Sequence, residues 1–307
     1  MNTEKSILIK ELDINIEKIQ LPALNKDEKS CIEFFVEITR HIQEIDQLFR
    51  VFRVNIKNML YYYELNINDI ITRKIDFEFQ ESDDIIINAF TINCLSSGKT
   101  LIESIENFIK DNIGEDSEIY KTFKIECLNK IYDDTFSYRL LIRMRDFSQH
   151  GHLPVSVALD NRCSFDLEQI LLAPHFNHNK KLQIEMQNIK KEVCIKYSDH
   201  PRIAFTMSIA EFNLCIIEIY MKFLNTIEGI LCNSIKEITE LLNNRSDIIY
   251  KSDDYLNGFV LYDICGDSIH CFNPKDDSMK MFLDIKENVS KILEQEKREL
   301  KLLSDIF

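Results

Sequence analysis

The segment RMRDFSQHGHLPV, residues 143–155, combines side chains that could act on a phosphodiester. A histidine ionises near neutral pH and can act as a general acid or base. An arginine keeps its proton and can stabilise the charge that develops on a phosphoryl oxygen. Used together, the two groups suit the cleavage of RNA by its own 2′-hydroxyl group. One removes the 2′ proton, and the other neutralises charge on phosphorus.

The spacing of these residues decides which of them share a face of a helix. At about 100° per residue, four side chains fall within roughly 60° of one another: Arg139, Arg143, Asp146 and His150. Asp146 and His150 are spaced i,i+4, so the carboxylate could pair with the imidazole and orient it. Arg145 lies roughly 140° from His150, beside Tyr138 and Gln149. A stripe of this kind is also common on solvated helix faces, and spacing alone favours that plainer interpretation.

The helix that carries this segment is predicted to begin near residue 133 and to end at residue 150. Asp133 or Asp134 would cap its start, and Gly151 and Pro154 would stop it. Its core face is predicted from four apolar residues at helical spacing: Phe136, Leu140, Met144 and Phe147.

A long helix is predicted just before it, over residues 81–114, with Ser82 as the N-cap and Gly114 as the stop. This helix contains SSGK at 96–99, which is only a fragment of the phosphate-binding loop pattern. We interpret the small residues as a site of close helix packing. Lys99 and Glu103 are spaced i,i+4 and could form an ion pair, or Lys99 could face RNA.

Most of the remaining chain also shows helical spacing, with minor β-structure towards its two ends. Further helices are predicted over 31–65, 117–131, 177–197, 207–245 and 277–303. Residues 6–22 form either a strand or a short helix, residues 72–80 alternate as in a short strand, and residues 258–272 resemble a hairpin around Gly266-Asp267.

The composition supports a mainly α fold. Among 307 residues there are only 6 glycines and 5 prolines, and 45% of the residues are hydrophobic, which favours long helices around a sizeable core. We predict three regions, listed in chain order: 1–80, an N-terminal region of helix with short strands; 81–246, a helical domain; and 247–307, a C-terminal hairpin plus helix.

Charge and cysteine content indicate the environment. A formal net charge of −14 argues against a general nucleic-acid coat protein but not against a local basic cleft. None of the nine cysteines forms a CxxC pair, and the charged start of the chain does not resemble a signal peptide. With no run of about 18 apolar residues, the sequence predicts a soluble cytoplasmic protein that has no membrane partner.

Histidines elsewhere raise the alternative of a metal site. HGH at 150–152, HFNH at 175–178 and His200 could supply ligands, but no Cys–His set has the spacing of a zinc site. We therefore predict loop histidines, with no metal and no other cofactor.

RDFSQH at 145–150 resembles the R-x4–6-H motif of HEPN domains, with Asp146 where asparagine is frequent. The longer stretch YDDTFSYRLLIRMRDFSQHGHLPV, 132–155, is similar to the SYR-x-x-x-x-LRNY-x-QH-x-x-LP pattern of uncharacterised bacterial HEPN-like proteins. NCLSSGKTLIESIENFI, 93–109, resembles the preceding helix of that group, with Lys99 and Glu103 at its basic and acidic positions. The resemblance covers residues 84–160 best.

This resemblance implies an antiparallel helical bundle that forms a homodimer in which the motif helices of two protomers meet. It also implies a metal-independent endoribonuclease that acts as a toxin or anti-phage effector, with RNA as substrate and an antitoxin or sensor protein as a further partner. Arg145, Asp146 and His150 match the motif and would be catalytic. Arg143 also has R-x6-H spacing and shares the face of His150, so it stays a second candidate for the catalytic arginine.

Five residues would support the reaction or bind RNA: Arg143, Gln149, Tyr138, Lys99 and Glu103. The alternative function is a non-catalytic HEPN-like module that binds a protein, a nucleotide or RNA through the same surface. The acidity of the chain suits a protein partner.

Overall fold

The computed structural model describes residues 7–12, 15–20, 26–68, 83–157, 163–173, 179–196, 202–244, 261–265, 268–272 and 277–306. These residues are mainly helical, which confirms the predicted fold class. The helices are α1 (Lys26–Asn68), α2 (Asp83–Ile113), α3 (Glu118–Phe123), a π-helix (Lys124–Asn129), α4 (Lys130–Asp134), α5 (Phe136–Gln149), α6 (Leu167–Leu172), α7 (Lys180–Lys196), α8 (Phe205–Asn244) and α9 (Asp277–Ile306).

Three small antiparallel sheets accompany the helices. They are β1 (Ile7–Leu12) with β2 (Asn15–Gln20), β3 (Ser156–Val157) with β4 (Cys163–Asp166) and β5 (Arg202–Ala204), and β6 (Leu261–Cys265) with β7 (Ser268–Phe272). The C-terminal hairpin is confirmed, and residues 6–22 form strands rather than a helix. The three-stranded sheet was not predicted. The predicted strand at 72–80, the cap Ser82 and the turn Gly266-Asp267 lie outside the described residues.

The chain divides into two compact units, which are described separately. One unit comprises residues 1–44 and 224–289, and the other comprises residues 45–223 and 290–307. The predicted boundaries at residues 80 and 246 do not coincide with this division. The motif segment lies entirely in the second unit, within α5.

The start of α5 differs from the prediction. Asp133 and Asp134 still belong to α4, and Thr135 is the N-cap, with extended backbone at φ −113° and ψ 111°. The predicted caps are wrong because the π-helix and α4 carry the chain in helical conformation up to residue 134. The helix ends as predicted: His150 is the C-cap and Gly151 adopts φ +88°, a left-handed conformation that favours glycine.

The core face of α5 is largely as predicted. Leu140, Met144 and Phe147 are buried, whereas Phe136 is half-buried. The small residues of α2 also pack as predicted, because a Cβ atom on Gly98 would lie only 3.1 Å from Phe212 Cζ and 3.2 Å from Phe52 Cε2. Glycine at this position therefore lets α2 approach two aromatic rings from other helices of the unit.

Helix α2 is apolar because it is a core helix. It is the one described helix that is long and apolar enough to cross a membrane, over residues 84–113, and an 18-residue window within it has a mean hydropathy of 1.3. Several of its apolar residues, among them Ile87, Leu101 and Ile105, are buried in the protein.

Buried cysteines agree with a reduced protein. Cys94, Cys127 and Cys215 are buried free thiols. Burial raises the pKa of Cys127 and of Cys215 to about 12. These thiols are therefore protonated at neutral pH and act as small apolar core residues.

Candidate active site

Asp146 is the centre of the candidate site because three cationic side chains surround it. Lys99 Nζ donates to Asp146 Oδ1 at 2.9 Å, Arg145 Nη1 lies 3.4 Å from the same oxygen, and Arg143 Nη1 lies 3.8 Å from Oδ2. Lys99 comes from α2 and the other three residues come from α5. We call these four residues the cationic cluster, since three positive groups around one carboxylate leave a net positive charge.

The cations hold Asp146 in its ionised form. Partial burial is the largest single effect and raises the pKa of Asp146. The hydrogen bonds and charges of Lys99 and Arg145 act in the opposite direction and together outweigh burial. The net result is a pKa below the ordinary aspartate value, so Asp146 is an anion at neutral pH and accepts hydrogen bonds from the cations.

Both candidate arginines reach solvent. The side chain of Arg143 is 40% exposed and that of Arg145 is 24% exposed. Their Nε atoms are buried and make no hydrogen bond within the described part of the chain. The two arginines contact different oxygens of Asp146. Both therefore stay candidates for the catalytic arginine.

His150 and Gln149 lie at the exposed end of α5. Both side chains are exposed, and His150 occupies the C-cap with φ −93° and ψ 18°. Its backbone N–H donates to Phe147 O at 3.2 Å, which fixes the last turn. The imidazole thus lies one turn beyond Asp146, at a solvent-accessible position where a general acid or base could reach a substrate.

Glu103 lies at the edge of the cationic cluster. Its carboxylate is 3.9 Å from Lys99 Nζ, which confirms the predicted i,i+4 ion pair. Lys99 is much closer to Asp146, at 2.9 Å, and so joins α2 to α5. Its side chain is 21% exposed, and a contact of Lys99 with RNA stays a prediction.

Two of the polar residues predicted on the surface of α5, Arg139 of the stripe and Tyr138 beside Arg145, are buried. Arg139 is buried, pairs with Glu185 at 2.5 Å and donates to the backbone oxygens of Tyr132 and Asp133 at 2.5 Å. Tyr138 is also buried, and its ring stacks on an aromatic ring of α8 at 6.0 Å. The helical wheel placed Arg139 with the polar face and Tyr138 beside Arg145, but tertiary contacts remove both from any surface that RNA could touch.

Sequence reasoning missed a pocket that begins at Gly151, directly after His150. Its volume is about 640 Å³. Its lining residues are Asp84, Gly151, His152, Leu153, Val155, Ser156, Val157 and Gln169. His152 stacks on Phe147 at 4.5 Å. The HGHLPV sequence was the available signal, because a helix stop followed by mixed polar and apolar residues is typical of a binding loop.

In the described ranges, no three His, Cys, Asp or Glu side chains gather as a metal site would require. The histidines of HFNH at 175–178 and His200 lie outside those ranges. The expectation of a reaction without metal or cofactor stays a prediction.

Comparison of the chain with protein-family models, with curated proteins and with solved structures gives no match. The resemblance to HEPN domains therefore depends on the motif residues themselves.

Proposed function

We propose that this protein is a metal-independent endoribonuclease of HEPN type. The observation that carries the proposal is the cationic cluster one turn before an exposed histidine at a helix end. A net positive group attracts a phosphodiester even in an acidic chain, because the attraction acts locally. The histidine beside it supplies the proton transfer.

The reaction follows from the roles of these groups. His150 accepts the proton of the ribose 2′-hydroxyl, and O2′ attacks phosphorus. The bond from phosphorus to O5′ breaks, and O5′ takes up a proton from water while His150 returns its proton to the solvent. The products are a 2′,3′-cyclic phosphate and a 5′-hydroxyl. Arg145, or Arg143 in its place, donates to the non-bridging oxygens as charge develops there. Asp146 does not touch the substrate and is a positioning residue, since it holds the arginines.

A composite site in a homodimer fits the geometry of α5. Arg145 and His150 lie on different faces, so an arginine from one protomer and a histidine from the other would converge more readily than the pair in one chain. The proposal therefore includes a dimer in which the motif helices meet. Its expected setting is the cytoplasm, where a toxin or anti-phage effector meets RNA and where an antitoxin or sensor protein would restrain it.

The test uses the purified full chain and its His150→Ala and Arg145→Ala variants, with cellular RNA and EDTA. The proposal predicts cleavage by the wild type and loss of at least about a hundredfold in each variant. Arg40→Ala is the matched control, because the Arg40 side chain is 62% exposed and pairs only with Glu44 in the described structure. Equal cleavage by all four proteins would reject the proposal.

The net charge of −14 favours a second candidate, a non-catalytic module that binds a protein partner. Under that alternative the cationic cluster docks acidic side chains of the partner. The same preparation distinguishes the two functions, because the module would cut no RNA and would instead retain a protein partner through Arg143 and Arg145.

A further inference from the structure

The pocket beside His150 is built from anchored elements. Asn88 of α2 is 1% exposed; its side chain donates to Val155 O and accepts from Val155 N, both at 2.8 Å. Asp166 caps α6 by accepting from the N–H groups of Glu168 and Gln169. These bonds fix the loop after His150 and the start of α6, so the pocket walls are formed before any ligand arrives.

Two contacts along α2 place the pocket relative to the cationic cluster. Lys99 bonds to Asp146, and Asn88 bonds to Val155. At about 1.5 Å per residue, these contacts lie about 16 Å apart along the helix. His150 lies between Asp146 and Val155 in the chain, one turn after the cationic cluster and directly before Gly151 of the pocket lining.

The chemistry of the pocket differs from that of the cationic cluster. Among the described residues that line it, the one acidic side chain is that of Asp84, an acceptor that repels phosphate. His152 stacks on Phe147 with one ring face and is otherwise exposed. Leu153 in the lining is 53% exposed, and Ile85 beside Asp84 is 46% exposed. An acceptor beside a flat ring and apolar groups suits an unpaired base, since proteins read single-stranded RNA by stacking and by bonds to base edges.

We propose that this pocket binds an unpaired guanine of the RNA next to the scissile phosphate, an inference that rests on the proposed ribonuclease function. Guanine offers two donors, N1–H and N2–H, on one edge, and both oxygens of the Asp84 carboxylate can accept them. Adenine and cytosine place an acceptor next to their amino group, and uracil places its one N–H between two acceptors. Gln169 can both donate and accept, so it can bond to a further edge of the base.

The experiment measures binding of nucleoside 5′-monophosphates to the full wild-type chain by isothermal titration calorimetry. GMP, AMP, CMP and UMP have no phosphodiester to cleave, and ribose 5-phosphate reports binding through phosphate alone. We expect GMP to bind at least about tenfold more tightly than the other three. Asp84→Asn should remove that preference. Asp111→Asn is the matched control on the same helix, with an exposed side chain at its far end, and should leave GMP binding within about twofold.

Four nucleotides that bind within about threefold of one another would overturn the inference, as would an unchanged GMP preference in Asp84→Asn. A second experiment measures the rate of RNA cleavage after one guanosine at a mapped cleavage site is replaced by inosine, which lacks the N2 amino group. Slower cleavage there supports the guanine pocket. RNA cleavage without any base preference would leave the ribonuclease standing and remove the pocket. Selective GMP binding without RNA cleavage would leave the guanine pocket standing and reject the ribonuclease function.

Discussion

Lys99 Nζ lies 2.9 Å from Asp146 Oδ1, and this ion pair joins two helices whose paired residues are 47 positions apart. Asp146 directly follows Arg145, so this contact holds the chain beside Arg145 against the core helix α2. The same carboxylate also contacts Arg143 and Arg145. One anion therefore sets both the position and the net charge of the cationic cluster.

Asp146→Asn should strengthen RNA binding. Asparagine keeps an oxygen that accepts from Lys99, but it removes the negative charge that offsets the cations. We expect affinity for a single-stranded RNA to rise about threefold or more at 100 mM salt, with a steeper salt dependence because more cationic charge faces the phosphates. Filter binding between 50 and 200 mM salt measures both quantities. Unchanged affinity would show that the cluster does not meet RNA.

The contribution of Asp146 to stability should depend on pH. Its pKa in the folded protein lies below the ordinary value of 3.8, so its ion pairs stabilise the fold above that value and are lost as the pH falls through the lowered pKa. The stability difference between wild type and Asp146→Asn should be constant near pH 6–7 and shrink towards pH 3. Urea unfolding across this range measures it. A difference that does not change with pH would contradict the ion-pair account.

Arg139 and Arg143 should behave in opposite ways. Arg139→Ala leaves Glu185 and two backbone oxygens without their donor, so we expect the free energy of unfolding to fall by about 3 kcal/mol. Arg143→Ala, the matched control on the exposed face, should cost less than about 1 kcal/mol. Urea unfolding measures both values. If Arg139→Ala were as stable as Arg143→Ala, the buried role of Arg139 would be wrong.

A composite site predicts complementation between inactive variants. A heterodimer of His150→Ala with Arg145→Ala keeps one intact site, built from the arginine of one chain and the histidine of the other. After equal mixing and subunit exchange, the RNA cleavage rate should recover to about a quarter of the wild-type rate. Single variants that stay inactive when mixed would place both groups of each site in one protomer.

The sequence was sufficient for features that depend on local spacing. The periodicity of α2 and α5, the stop at Gly114 and the turn at Gly151 follow from residues within a few positions of one another, and Gly114 adopts φ +104° as a helix stop requires. The hairpin of β6 and β7 was visible because its strands are five residues each and alternate.

Non-local contacts could not be predicted. Arg139 lies on a face that is polar in sequence, so it was expected at the surface. It is buried because Glu185 of α7, 46 positions further along the chain, neutralises its charge. Spacing indicated only that Asp146 could pair with His150; the bond that Asp146 accepts from Lys99 of α2 could not be read from it. The strands β3 and β5 have two and three residues, too few to show a period.

Cleavage of RNA by His150 and an arginine, as proposed, requires the 2′-hydroxyl group next to the scissile phosphate. An RNA oligonucleotide carrying a single 2′-deoxynucleotide at the mapped cleavage site is incubated with the wild-type chain in EDTA, beside the all-ribose oligonucleotide. The account predicts that the all-ribose RNA yields a 2′,3′-cyclic phosphate and a 5′-hydroxyl, and that the substituted RNA stays intact at that position. Cleavage of the substituted bond, or products with a 5′-phosphate, would contradict it.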